Sequence, residues 1–174
     1  MRMFLRSCPN SATDTLAYGG KMIREAQLVD SEAIAKVIVA AWQGAYTGIV
    51  DQTYMDSMNV QRFVHIMNEN LNQKKEKIFI YEENQIVKGF ISGKFADFED
   101  HQCETVGFYV LPKYQGVGIG SRLFRHIQRY FSDNKCRKMI LWTLKGAKNN
   151  SFYKNKGGEI RAEKLLKIGD RDYP

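Results

Sequence analysis

Residues 110–121 read Val110-Leu111-Pro112-Lys113-Tyr114-Gln115-Gly116-Val117-Gly118-Ile119-Gly120-Ser121. An apolar run ends at Pro112, and glycine then occupies every second position from Gly116 to Gly120. Beyond it Ile119, Leu123, Ile127 and Tyr130 recur at spacings of four, four and three, which is one face of a helix. The stretch is a strand that runs into a glycine turn opening an amphipathic helix. Alternate glycines remove every second side chain, so backbone can approach a ligand closely. A helix N-terminus leaves its first N–H groups unpaired and carries partial positive charge. Together they form a seat for an anion, and pyrophosphate is its natural occupant. Two other glycine-loop readings fail. There is no GxxxxGK[ST] run, and G-x-G-x-x-G would need glycine at Ser121 or Leu123.

Outward from that loop, the period of the apolar residues changes several times. Residues 1–21 hold Pro, Asn, Ser, Thr, Asp and a Gly-Gly pair with little periodicity, which predicts a flexible N-terminal extension. Residues 22–174 form a single domain. A short strand over 22–28 precedes a helix capped at Asp30 or Ser31, with Ile34, Val37, Ile38 and Ala41 on its apolar face. Residues 51–72 read as further helix, broken near Asn59. Two strands, 77–81 and 86–93, make a hairpin about Glu83-Asn84-Gln85. Residues 97–101 are a polar break, and a third strand runs over 105–111. After the amphipathic helix come a strand over 138–144, a short helix over 150–156 ending at Gly157-Gly158, and a last strand over 159–168. The mixed order indicates an α/β or α+β layered domain.

Composition narrows the partners. The chain has 174 residues, 44% of them hydrophobic, which suits one domain with a sizeable core. It has no 18-residue apolar run, and its start lacks the apolar stretch of a signal peptide, so neither a membrane span nor secretion is expected. Cys8, Cys103 and Cys136 are odd in number and widely spaced. They predict reduced thiols in a cytoplasmic protein, with no disulfide framework and no zinc site. His65, His101 and His126 are scattered, so no metal is expected, and His126 falls off the apolar face of its helix as a solvated side chain. The net charge of +7 admits nucleic acid, membrane surface or a phosphorylated small molecule. The Lys and Arg residues form no block, and Lys74-Lys75-Glu76-Lys77 reads as a solvated turn, so nucleic-acid binding is not favoured.

The segment 109–120 resembles the GNAT superfamily of acyl-CoA N-acyltransferases, whose motif is Gln/Arg-x-x-Gly-x-Gly/Ala after a strand with an aliphatic-Pro end. Gln115, Gly118 and Gly120 take the motif positions. Downstream, Asn149-Asn150-Ser151-Phe152-Tyr153-Lys154-Asn155-Lys156-Gly157 is similar to the family's Asn…Phe-Tyr-x-x-x-Gly segment, and Ile23-Arg24-Glu25-Ala26 to its first strand. The resemblance covers roughly residues 22–168. It implies a central mixed sheet of six to seven strands flanked by helices and splayed between the fourth and fifth strands, here 104–111 and 138–144. It also implies acetyl-CoA as co-substrate. The pantetheine arm would lie in the split against Phe108, Tyr109 and Val110. The amides of Gln115, Gly116, Val117, Gly118, Ile119, Gly120 and Ser121 would hold the pyrophosphate, and Asn149 would touch the arm. The chain departs from the family in three places. The Asn-to-Phe spacing is compressed, Gly158 replaces an aromatic residue, and little sequence follows Gly169-Asp170 for a seventh strand. That edge strand is absent, is supplied by the N-terminal segment or a partner, or lies beyond Pro174. A homodimer is one way to supply it.

Amide formation needs a neutral amine, yet an alkyl ammonium is only about one part in a thousand neutral at pH 7. The gap of roughly 4–5 kcal/mol calls for a base. By resemblance Glu104 is the base, with His101 and Glu99 as substitutes. Tyr153 is the acid for the leaving thiolate, and the Val110 amide is the oxyanion donor. Phe152 belongs to the core. Trp42, Tyr46 and Tyr54 line an acceptor pocket or pack the core. Cys103 has no His/Asp partner and is not a nucleophile. The expected activity is transfer of acetyl from acetyl-CoA to a primary amine, on a small molecule or on a protein N-terminus or lysine, by direct attack in a ternary complex. A module that holds acyl-CoA without turnover is the alternative.

Overall fold

The computed structural model describes residues 1–6, 20–98 and 101–174. In chain order its elements are β1 (Arg2–Arg6), β2 (Lys21–Glu25), α1 (Ser31–Tyr46), α2 (Gln52–Asp56), α3 (Val60–Asn72), β3 (Lys77–Glu83), β4 (Ile86–Phe98) and β5 (His101–Val110). They continue with α4 (Ile119–Asp133), β6 (Lys138–Trp142), α5 (Asn150–Asn155), β7 (Glu159–Ala162), β8 (Leu166–Ile168) and β9 (Arg171–Tyr173). Seven strands form one mixed sheet in the order β2-β3-β4-β5-β6-β1-β7, and β8–β9 is a separate hairpin. Helices α1 and α3 cover one face with Ile34, Val37, Ile38 and Met67. Helix α4 covers the other with Leu123, Phe124, Ile127 and Phe131; Ile119, Leu123 and Ile127 bury as the spacing predicted, Phe124 and Phe131 widen that face, and Tyr130 is only partly buried at its margin.

The start of α1 is fixed by charge. The Arg24 guanidinium forks onto both Asp30 carboxylate oxygens at 2.7 and 2.8 Å and also reaches Glu82 on β3. This bidentate geometry suits arginine in particular. Asn59 caps α3 through the Gln61 amide, which is why the helical stretch over 51–72 is divided there.

The N-terminus departs from expectation. Residues 1–21 read as a flexible extension, but Arg2–Arg6 are a strand between β6 and β7, antiparallel to both. The cause is a short period-two pattern. Met1, Met3 and Leu5 are 6, 0 and 2% exposed and face the α4 core, where Met3 pairs with Leu141 and Leu5 with Met139. Arg2 and Phe4 take the opposite face, and the Arg2 guanidinium lies over the Phe4 and Trp142 rings. Thus the N-terminal segment supplies a seventh strand, set inside the sheet between β6 and β7 rather than at its edge. Residues 7–19, with Cys8, lie outside the described residues, as does Glu99. The stretch over 159–168 is two strands, and the second turns back as the β8–β9 hairpin. Tyr173 accepts a hydrogen bond from the Asp51 amide at 2.9 Å, and Ile168 packs with Tyr46, Met55 and Leu144.

The cysteine expectation also fails. Cys103 on β5 and Cys136 ahead of β6 are joined in a disulfide across a sequence separation of 33. Wide spacing in sequence hid a close approach, because β5 and β6 are parallel neighbours connected through α4. Closing a loop of that length contributes about 3–4 kcal/mol in the chain-entropy picture. His126, expected in solvent, is half-buried and packs edge-on against Phe79 at 4.4 Å, and burial lowers its pKa. No helix among the described residues is long and apolar enough to cross a membrane.

Met3 has no exposed surface, so Met3→Ala is expected to cost about 2–5 kcal/mol in urea denaturation. A flexible tail would give a change within about 0.5 kcal/mol.

Candidate active site

Strands β5 and β6 pair in parallel at only three positions, Cys103–Met139, Glu104–Ile140 and Thr105–Leu141. Beyond Thr105 strand β5 runs on to Val110 with β4 on one side only. A β-bulge marks the parting: Gly93 pairs with Thr105 and Ser92 with Gly107, so Val106 is the extra residue. Buried Ser92 accepts the Gly107 amide through Oγ at 3.0 Å and fixes the bulge.

The pairing also shows which β5 groups face the opening. The Leu111 amide bonds the Lys88 carbonyl, so the Tyr109–Phe90 pair is hydrogen-bonded and the Val110–Gly89 pair is not. The backbone of Phe108 and Val110 therefore points away from β4 into the split. That of Tyr109 is spent in the ladder. Tyr109 was expected among the cofactor-binding residues; its backbone is paired with Phe90 and its side chain turns to the α1 face.

Next comes the glycine loop. The Gln115 amide bonds the Pro112 carbonyl and its side chain bonds the Val110 carbonyl at 2.9 Å. Gln115 therefore braces the loop, and its backbone N–H is spent within the protein. From Gly116 to Ser121 no amide has a backbone partner among the described residues, and Arg122 is the first to bond, to Gly118. Gly116 and Gly118 hold φ of +79 and +89°, the left-handed region that turns the chain into the N-terminus of α4. Nothing lies within 4 Å of where a Cβ would stand on either one. Gly120 serves packing instead, since a Cβ there would sit 3.3 Å from the Phe108 ring. Phe108 belongs with Phe124, Phe152 and Tyr153 to an aromatic cluster beneath the loop. Phe152 is core, as expected.

The split opens into a cleft whose walls include Tyr46, Thr105, Val106, Tyr109, Asn149 and Tyr153. Helix α5 is set by Asn150, which accepts from the Thr143 hydroxyl and donates to the Leu144 carbonyl. Its neighbour Asn149 is thereby left for the cleft, and Asn149 Oδ1 is buried without a hydrogen-bond partner. The unpaired oxygen, the free amides and the open edge of β5 together match the polar groups of an extended amide-bearing arm ending in pyrophosphate. Coenzyme A has that shape and fits the residues present.

The expected acid and base are placed differently. Tyr153 is buried in the cleft wall, and burial, then the neighbouring Tyr46 and Tyr109, push its hydroxyl well above the usual phenol range. Burial likewise raises Tyr46 and Tyr109, offset in part by the Asn149 amide against Tyr46 and the Trp42 indole against Tyr109. Glu104 lies in the zipped part of β5, next to Thr105, with its carboxylate 3.5 Å from Lys94 Nζ; it is not among the residues that line the cleft. His101 begins β5, and its side chain lies outside the described residues. Of the expected aromatic pocket residues, Tyr46 reaches the cleft. Trp42 stacks behind it at 4.8 Å, and Tyr54 lies further back against Trp42. Sequence reasoning missed Thr105 and Thr143 in the cleft wall, whose hydroxyls are spent on Met139 Sδ and Asn150 Oδ1, and the side chain of Tyr109 there. The only signal for them was their place beside the matched motifs.

The model of the acetyltransferase (GNAT) family matches residues 38–157. The chain belongs to this family of N-acetyltransferases. The uncharacterized N-acetyltransferase YuaI of Bacillus subtilis (strain 168) is 26% identical over 153 residues, spanning 84% of each chain. Among solved structures, the PaiA N-acetyltransferase of Thermoplasma acidophilum in complex with coenzyme A superposes with a TM-score of 0.66 at 16% identity, over 88% of this chain and 95% of that one. A predicted acetyltransferase of Clostridium acetobutylicum with acetyl-CoA gives a TM-score of 0.62 at 17% identity, over 86 and 96%. At these identities the structures share the fold.

Raised phenol pKa values carry a sign for stability. The folded state keeps its protons where the unfolded chain loses them, so stability falls as pH rises above about 10. Each such phenol contributes a slope of up to about 1.4 kcal/mol per pH unit. Urea denaturation at pH 10.5 and 11.5 is expected to show this decline, with a shallower slope for Tyr153→Phe than for the wild type.

Proposed function

We propose that this protein transfers the acetyl group of acetyl-CoA to a primary amine by direct attack in a ternary complex. The observation that carries the reading is the run of unpaired amides from Gly116 to Ser121 at the mouth of the β5–β6 split. The acceptor is an amine on a small molecule or on a protein N-terminus or lysine.

In this reading the Gly116–Ser121 amides and the positive end of α4 hold the pyrophosphate. The pantetheine amides continue the sheet along the free edge at Phe108, since the Val110 carbonyl is taken by the Gln115 side chain, and Asn149 Oδ1 accepts from one of them. This seats the thioester against Val110, whose N–H donates to the carbonyl oxygen as the tetrahedral charge develops. Tyr153, kept protonated by burial, donates its hydroxyl proton to the departing sulfur. The amine enters from the side of α1 and β6 and loses a proton through water to Glu104, whose carboxylate Lys94 orients. In balance, the neutral amine forms the C–N bond as the C–S bond breaks, its one surplus proton passes through water to Glu104, sulfur takes the Tyr153 proton, and return of the proton from Glu104 through water restores the phenol.

Thiol release from acetyl-CoA with a panel of amines tests the reading. Tyr153→Phe is expected to lower kcat by roughly 100-fold or more while the Kd for coenzyme A stays within about three-fold. Gly118→Ala, which puts a side chain on a left-handed residue of the anion seat, is expected to raise that Kd by roughly ten-fold or more. Tight acetyl-CoA binding without thiol release for any amine would leave a binding module and contradict the proposal.

A further inference from the structure

Tyr109 lines the cleft and bears a hydroxyl that the reaction above does not use. Side chains on β5 alternate, with Phe108 and Val110 in the α4 core and Tyr109 in the α1 core. Tyr109 thus reaches the cleft wall from the acceptor side, beside Tyr46 and Thr105. Its oxygen is 3.1 Å from Trp42 Nε1. An indole N–H only donates, so the Tyr109 oxygen accepts, and the phenol still has its own proton to give. Among the described residues nothing takes that proton. Trp42 also stacks edge-on against Tyr46 at 4.8 Å, so one indole fixes the attitude of both phenols. A hydroxyl held this way is a directional donor, and leaving it unpaired once an acceptor has displaced water is unfavourable by a factor of roughly 10–100.

We propose that Tyr109 is a specificity-determining donor, and that the amine acetylated here carries an oxygen acceptor, such as a hydroxyl, carbonyl or carboxylate, a few bonds from its nitrogen. The Tyr109 hydroxyl, oriented by Trp42, holds that oxygen while the nitrogen meets the thioester. This rests on the acetyl-transfer reading and names the acceptor class within it. A site built around a polar donor rejects the analogue lacking the matching group more strongly than an apolar pocket rejects a missing methylene.

The test is thiol-release kinetics with acetyl-CoA and paired amines in which an oxygen-bearing group is replaced by an apolar one of the same shape, 3-amino-1-propanol against butylamine and alaninamide against 3-methylbutan-2-amine. The ratio of kcat/KM within each pair is compared between the wild type and Tyr109→Phe, which cancels the difference in amine basicity. At least one pair is expected to lose its preference for the oxygenated member by ten-fold or more in Tyr109→Phe, with the KM for acetyl-CoA and the thermal midpoint unchanged. Trp42→Phe should give the same loss, and the double variant should add little to it. Equal losses for both members of each pair, or unchanged ratios, would overturn the proposal and leave acetyl transfer standing. Thiol release by the wild type with none of these or other amines, despite acetyl-CoA binding, would overturn both.

Discussion

Strands β5 and β6 hold together for three residue pairs and then part, and the site is built on that parting. A paired strand has no backbone groups to spare, whereas a strand released on one side offers a row of donors and acceptors at fixed spacing. Here the released strand leads into the glycine loop, so the open edge at Phe108 and the unpaired amides of Gly116–Ser121 belong to one stretch of chain. The bulge at Val106 changes the register between the two regions, and Ser92 satisfies the amide that the bulge exposes.

Such an opening costs sheet hydrogen bonds, and the surrounding structure compensates. On the far side of β6, β1 pairs with all of Lys138–Trp142, so β6 is held by a neighbour even where β5 has left it. On the near side the Cys103–Cys136 link ties the closed end of the split to the start of β6. The crossover between them contains the anion loop and α4, so the tether and the apolar face of α4 hold the same unit. The β8–β9 hairpin packs behind Tyr46 and the end of α1, supporting the acceptor side of the cleft.

Much of this was legible in the residues. The glycine alternation, the helix spacing from Ile119 and the Phe152-Tyr153 pair are local patterns with direct physical readings, and the family follows from them. The strand at Arg2–Arg6 was not legible as structure. Five residues of alternating pattern are weak beside the Pro, Asn and Gly-rich stretch that follows them, and the partner strand lies well over a hundred residues away. The disulfide was hidden for a related reason, since two cysteines become neighbours only when a parallel crossover closes. Tyr109 was assigned to the ligand edge because its neighbours belong there; the alternation of side chains along β5 sends its hydroxyl the other way, to Trp42, 67 positions distant. Long-range pairings of this kind carry no sequence period.

The most direct measurement is amide NMR of the 15N-labelled protein titrated with coenzyme A. The account predicts that the largest shifts fall on Gly116, Val117, Gly118, Ile119, Gly120 and Ser121, followed by Phe108 and Val110, while the Gln115 amide, already bonded to Pro112, moves less. Shifts centred elsewhere, or none at millimolar coenzyme A, would contradict it.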